Sequence, residues 1–193
     1  MRQTARLVVT ITALGLLVTG CTDDPAPVET TPASTPSPTP SPTPSPTPTP
    51  AAPTPPQRPE AMSSPTAEGA AAAAGHFMSL YSYAFATADT TEWRALSADD
   101  CQYCLNVVAS IDDQTSRGVH GAGSEITVVS ATGTELVAGE SYSADLTISQ
   151  APSFEVDEDG AQVPDGDGGN FTVHVALWWR DGWLVRAVDA TRS

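Results

Sequence analysis

Cys101-Gln102-Tyr103-Cys104 is the spacing with the most chemistry in this chain. Where a CxxC pair opens a helix, the helix dipole lowers the pKa of the first thiol, which is how thiol-disulfide exchange sites are activated. Such a site follows a βαβ pattern, and none precedes Cys101. A structural disulfide is the simpler reading. Closing so short a loop contributes roughly 2 kcal/mol in the chain-entropy model, and the bridge would pin the helix it opens near the helix before it. Metal binding is the third reading. Zinc would need two further ligands, and His76, His120 and His174, the only histidines, stand at no finger-like spacing. No metal, cofactor or catalytic residue is assigned.

Two acidic runs, Asp157 to Asp159 and Asp165-Gly166-Asp167, could offer oxygen ligands to Ca2+. An EF-hand loop needs Asp or Asn at its fifth position, Gly at its sixth and Glu at its twelfth. Counted from Asp165 those positions are Gly169, Asn170 and Ala176, so a solvated acidic loop is the expectation. Trp178, Trp179 and Trp183 cluster near the C-terminus. Trp178 and Trp179 are adjacent, so on a strand they face opposite sides. Aromatic side chains of this kind form ligand or partner surfaces, or pack in a core.

The elements that position these residues follow from hydrophobic periodicity. Ser64 and Pro65 predict a helix start, with Glu68 in the first turn where the dipole favours it. Ala70, Ala74, Phe77, Met78, Tyr81 and Phe85 recur every three or four residues, predicting one helix to about residue 87. Asp89 and Glu92 form a capping-box-like pair ahead of a short second helix carrying Trp93 and Leu96. Asp99 or Asp100 is the expected cap of a third, with Cys101, Cys104, Leu105, Val108 and Ile111 on its inner side and Gly118 as its stop. The period then changes to two. Ile126 to Ser130, Tyr142 to Ser149, Phe154 to Val156 and Phe171 to Trp179 read as strands, with a hairpin tip at Glu158 to Ala161. Asp181-Gly182 carries the preferred hairpin-turn chemistry into a last strand, Trp183 to Val188. The glycine-rich segment Asp165 to Asn170 reads as a mobile loop. Helices followed by an antiparallel sheet is the α+β layout.

A long first helix, two shorter ones and a curved meander closing on a Trp-rich hairpin is similar to the cone-shaped NTF2-like fold, including SnoaL-type proteins. The resemblance covers nearly all of residues 65 to 190. It implies an open cone able to hold a small molecule, and enzymes of this type place Asp, His or Tyr inside for proton transfer. On that expectation Tyr81, His174, Trp178 and Trp183 are the candidate pocket or partner-surface residues, with Tyr83, Asp100 and Asp145 as further polar groups. His174 or an Asp is the candidate base if the cone is catalytic, as in a ketosteroid-isomerase-like enzyme. Alternation places it opposite Val173 and Val175, on the side of Thr172 and Trp178.

The N-terminus sets the address. Arg2 and Arg6 precede an apolar run, Leu7 to Val18, too short for the roughly 20 residues of a membrane-spanning helix, so residues 1–20 read as a signal peptide. Val18-Thr19-Gly20-Cys21 resembles the bacterial lipobox, which implies cleavage at Gly20-Cys21 and lipidation, palmitate included, of the Cys21 thiol. Two acyl chains anchor stably where one would not. With Cys21 modified, Cys101 and Cys104 remain as an even pair in an oxidising compartment. Sixteen of the eighteen prolines lie between residues 22 and 65, in strict Thr/Ser-Pro alternation from Thr35 to Pro50. Residues 21–64 are therefore expected to be a disordered, semi-rigid polyproline II spacer reaching on the order of 130 Å, and residues 65–193 the folded domain. The combination of lipobox, stalk, Arg58 to Met62, Glu68 to Ala70, Tyr81 to Ala84, Trp93 and the Cys101/Cys104 pair resembles a family of actinobacterial lipoproteins.

With 23 acidic residues, eight arginines and no lysine, the net charge of −15 excludes nucleic-acid binding and docking on an anionic membrane surface. The expected protein is a non-catalytic lipoprotein, held on the extracytoplasmic side of the cell membrane by its lipid. Its domain would bind an envelope protein or a small apolar ligand. A cone-pocket enzyme and a redox protein using Cys101/Cys104 are the alternatives.

Overall fold

A computed structural model describes residues 53–193. The expected signal peptide, Cys21 and the stalk as far as residue 52 lie outside the described residues. Among the described residues three α-helices come before the strands: α1 (Ala67–Thr87), α2 (Thr91–Ala95) and α3 (Gln102–Ser116). Seven strands follow: β1 (His120–Gly123), β2 (Ile126–Val137), β3 (Ser141–Gln150), β4 (Ser153–Val156), β5 (Gln162–Gly166), β6 (Gly169–Trp179) and β7 (Trp183–Arg192).

The helix starts differ from expectation by a few residues. Thr66, not Ser64, caps α1, its Oγ1 accepting from the Gly69 N–H at 3.0 Å. Ser64 instead ends a one-turn 3-10 helix, Glu60–Ser63. Asp89 accepts from the Thr91 N–H, but Glu92 does not return to complete a capping box; it bonds His76 and Arg58. Cys101, not Asp99 or Asp100, caps α3, its sulfur accepting from the Cys104 N–H at 3.3 Å. Asp100 bonds Arg186 on β7.

The strands form two antiparallel sheets, ordered β2-β3-β6-β7 and β1-β4-β5. They are one hairpin array folded over. β3 pairs with β6 and β4 with β5, and only Ala151-Pro152 and Asp167-Gly168 separate the two levels. Glycine makes the fold-over feasible. Gly123 and Gly168 have φ of 73° and 66°, where side-chain-bearing residues are strained. A Cβ on Gly123 would lie 2.2 Å from the Pro152 carbonyl oxygen, and one on Gly168 would lie 2.4 Å from that of Gln150. The mobile loop expected at Asp165 to Asn170 thus shrinks to two residues, because its ends are recruited into β5 and β6.

Alternation then decides the core. Tyr142, Ala144, Leu146 and Ile148 of β3, and Val173, Val175 and Leu177 of β6, all face α1 and are buried. Ala70, Ala73, Ala74 and Phe77 of α1 meet them, the small alanines letting helix and sheet approach. Approach is closest at Gly133, where a Cβ would fall 1.8 Å from the Ala67 oxygen. Phe77 stacks on Trp93 with ring centroids 4.0 Å apart. Helices on the concave face of a bent antiparallel sheet make the α+β, NTF2-like cone. Its order begins upstream of residue 65. Met62 is buried in the core, and its carbonyl accepts from the Trp183 indole N–H at 2.9 Å.

Candidate functional site

Side chains pack the core, and among the concavities of the described residues one is a groove at the helical rim. α1 supplies Tyr81 and Phe85, one turn apart, with ring centroids at 4.7 Å. α3 and its C-cap residue Arg117 supply Asn106, Ser110, Asp113, Gln114 and Arg117, whose spacings of three and four set them along one edge. The folded-over β4–β5 hairpin closes the third side with Glu155 and Asp165. The cavity measures about 560 Å3.

Its charges are mostly committed to one another. Arg117 donates through Nη1 and Nη2 to both oxygens of Glu155, at 2.8 and 2.5 Å, and through Nε to Asp113 at 2.9 Å. The Arg117 bond holds the Glu155 carboxyl below the usual range, against the opposing effect of desolvation. Glu155 and then Asp113 push the guanidinium pKa further up. Gln114 donates to Glu155 at 3.3 Å, while its own Oε1 is buried without a partner among the described residues. Burial, and secondarily the charge of Asp165, raise the Tyr81 pKa, so the phenol stays neutral and can donate or accept. Tyr103, tilted against Trp93 with ring centroids 6.2 Å apart, is raised further by the same desolvation, with Tyr81 adding to it.

The four residues singled out from sequence do not come together. Tyr81 lines the groove. His174 is not in the cone. β6 must turn Val173, Val175 and Leu177 inward, which places His174 on the outer face. There its side chain is 55 % exposed and bonds Asp145 at 2.8 Å. Trp178 shares that outer face, with the Arg186 guanidinium 3.7 Å above its ring. Trp183 is core, 4 % exposed, and meets Trp179 edge to face at 5.1 Å. Tyr83 is bonded to Asp89 at the end of α1.

Cys101 and Cys104 form a disulfide. Both are fully buried, at 0 and 1 % exposure, and the Trp93 indole donates to the Cys104 carbonyl beside them. Exchange needs a thiolate to reach a sulfur, so this burial marks a structural bridge. The Asp157 carboxylate accepts from the Asp159 and Ala161 N–H groups and builds the β4–β5 turn. Among the described residues no group of three or more His, Cys, Asp or Glu side chains is placed to hold a metal ion.

Sequence reasoning missed the polar half of the groove. The outward α3 face, Asn106, Ser110, Asp113 and Arg117, was periodic enough to find, but nothing in the sequence joins Arg117 to Glu155 across 38 residues. It also missed His76, buried in α1 with Nε2 2.8 Å from Glu92, whose same oxygen holds Arg58 at 2.6 Å. Desolvation pushes the Glu92 pKa up, but the bonds from His76 and Arg58 outweigh it and leave the carboxyl below its ordinary value. This chain of bonds straps the segment entering the domain onto α1 and α2.

Residues 43–189 match the Family of unknown function (DUF6318). The chain belongs to that family. No protein of curated function matches it in sequence. Among solved structures, it is similar to the intermembrane space region of the chloroplast protein ARC6, with a TM-score of 0.52 and 13 % identity over 66 % of this chain and 98 % of that one. It is similar at lower scores to ActVI-ORFA of Streptomyces coelicolor (TM-score 0.41, 17 % identity, 65 % and 98 % covered). A candidate polyketide cyclase of Pseudomonas putida follows (TM-score 0.33, 14 % identity, 62 % and 91 % covered). At these identities the likeness is one of fold, and chemistry must be argued from this chain's own residues.

Proposed function

We propose that this DUF6318 member is a lipid-anchored extracytoplasmic binding protein that holds a small molecule in the α1–α3 groove without covalent chemistry. The observation that carries the reading is the state of the groove's charges. Arg117, Asp113 and Glu155 are locked in one ion-pair network, which shapes a surface but leaves none of the three poised to exchange protons. Tyr81, with its raised pKa, serves as a fixed hydrogen-bonding group. The anchor half of the proposal rests on the lipobox resemblance around Cys21 and on the Thr/Ser-Pro repeat that would hold the domain off the membrane.

Each half has its own test. Metabolic labelling with palmitate should mark the wild-type chain and not Cys21→Ala, which should leave the membrane fraction; equal labelling of both would remove the anchor. For the groove, the melting temperature is measured against pooled envelope metabolites. A ligand at 100 times its Kd adds about 2.7 kcal/mol, several degrees for a domain of this size. Silence across every pool would sink the small-molecule reading.

A further inference from the structure

We infer that the α1–α3 groove is a site for an organic ammonium ion carried on an apolar or aromatic body. The inference rests on the reading of this groove as the binding site and names the chemistry of its occupant.

Three observations converge. The first is an imbalance of partners. Three carboxylates, Asp113, Glu155 and Asp165, face one guanidinium. Arg117 spends its Nε, Nη1 and Nη2 on Asp113 and Glu155, and Asp165 has no ion-pair partner among the described residues. The second is Gln114. It lines the groove at 6 % exposure, its amide nitrogen is used by Glu155, and its Oε1 accepts from no group among the described residues. A buried acceptor without a donor is unfavourable, and an N–H from a ligand is the complement it lacks. An anionic ligand would meet the carboxylates and still leave Oε1 unpaired. A hydrocarbon would satisfy neither group. The third is the α1 flank, where Tyr81 and Phe85 present two neighbouring rings. Aromatic faces attract cations and accept apolar bodies. The chain has no lysine of its own to occupy such a site, and its net charge of −15 gathers cations from solution. In this placement the ammonium pairs with Asp165, draws the Gln114 amide outward to accept from it through Oε1, and lays its apolar part on Phe85 and Tyr81.

The test uses the full-length chain in detergent and three probes of one shape: phenethylammonium, 2-phenylethanol and phenylacetate. Isothermal titration should show binding of the amine, with the alcohol and the acid weaker by about tenfold or more, as expected for losing a charged hydrogen bond. Raising the salt should weaken the amine, since the groove is open to solvent. Asp165→Asn, an isosteric change at an exposed position, should lower amine affinity about tenfold while keeping the melting temperature. Gln114→Leu should also weaken the amine, and His174→Ala on the outer face should not. Equal binding of all three probes, or an Asp165→Asn variant with unchanged affinity, overturns the ammonium assignment and leaves the groove as a site of other specificity. Binding of no probe, together with silence of the metabolite pools, removes the assignment along with the groove reading on which it stands.

Discussion

Severing the bridge between Cys101 and Cys104 should destabilise the domain by a calculable amount. The perturbation is Cys101→Ser with Cys104→Ala. Serine is a good helix cap, so the hydroxyl of C101S can take over the bond that the sulfur accepts from the residue-104 N–H. The α3 start is then kept, and the loss is that of the cross-link. For a loop of about four residues the chain-entropy model gives about 6 cal/mol/K, or about 2 kcal/mol at room temperature. The sulfur missing from the core at position 104, which is 1 % exposed, adds up to about 1 kcal/mol in lost contacts. For a domain of this size the sum of about 2–3 kcal/mol corresponds to a fall in Tm of about 6–10 °C. Differential scanning calorimetry of the variant against the oxidised wild type measures it. Burial of both sulfurs further implies a reduction potential below about −300 mV for the wild type. A variant that melts within a degree of wild type, or a native disulfide reduced at thioredoxin-range potentials, would refute the structural assignment and restore the exchange reading.

Four further outcomes follow from the same packing. Gly168→Ala must hold a φ of 66° and push its Cβ against the Gln150 carbonyl, so it should cost at least about 1–2 kcal/mol by chemical denaturation and loosen the fold-over. Trp183→Phe keeps the aromatic body but removes the donor to Met62; an unpaired buried carbonyl costs about 1–3 kcal/mol, and hydrogen exchange should rise across Glu60–Ser63. His174→Ala, on the exposed outer face, should change stability by less than about 0.5 kcal/mol. The Glu155 carboxyl titrates below its unfolded value because of Arg117. Its contribution is therefore complete above the ordinary carboxylate range and is lost as pH falls through the depressed folded pKa. Melting curves taken across the acid range should show a fall that Arg117→Ala flattens; identical profiles would show that this ion pair does not couple to folding.

The parts of this architecture written locally were readable from the chain. Periods of 3.6 and 2 located α1, α3, β3 and β6, because burial of one face imposes them directly, though Leu105, expected on the inner side of α3, is exposed and Val107 is buried instead. Asp181-Gly182 announced the last hairpin through its turn chemistry. The cone resemblance held because it depends on element order. What escaped was set at a distance. The β1 strand, His-Gly-Ala-Gly, has no strand pattern of its own and exists because β4 pairs with it. The bend in the sheet depends on where Gly123 meets Pro152 and Gly168 meets Gln150, a register no single segment encodes. Cap choice slipped by two residues at Ser64/Thr66, since several small polar side chains there could serve. His174, a candidate for the pocket or for a partner surface, lies outside the cone for a simpler reason. Alternation separates two faces of a strand but does not say which is concave, and the inward side belongs to the valines. The groove is the least local feature, drawing Tyr81 from α1, Gln114 and Arg117 from α3, and Glu155 and Asp165 from the folded hairpin.

Occupancy of the groove is seen by mapping where a ligand sits. Backbone amide shifts of isotope-labelled protein, followed by nuclear magnetic resonance during titration with phenethylammonium, report contact residue by residue. Saturating shifts are expected at Tyr81, Phe85, Ser110, Gln114 and Asp165, with the outer face around His174 and Trp178 unmoved. Shifts confined to that outer face, or none at saturating amine, would contradict occupancy of the groove.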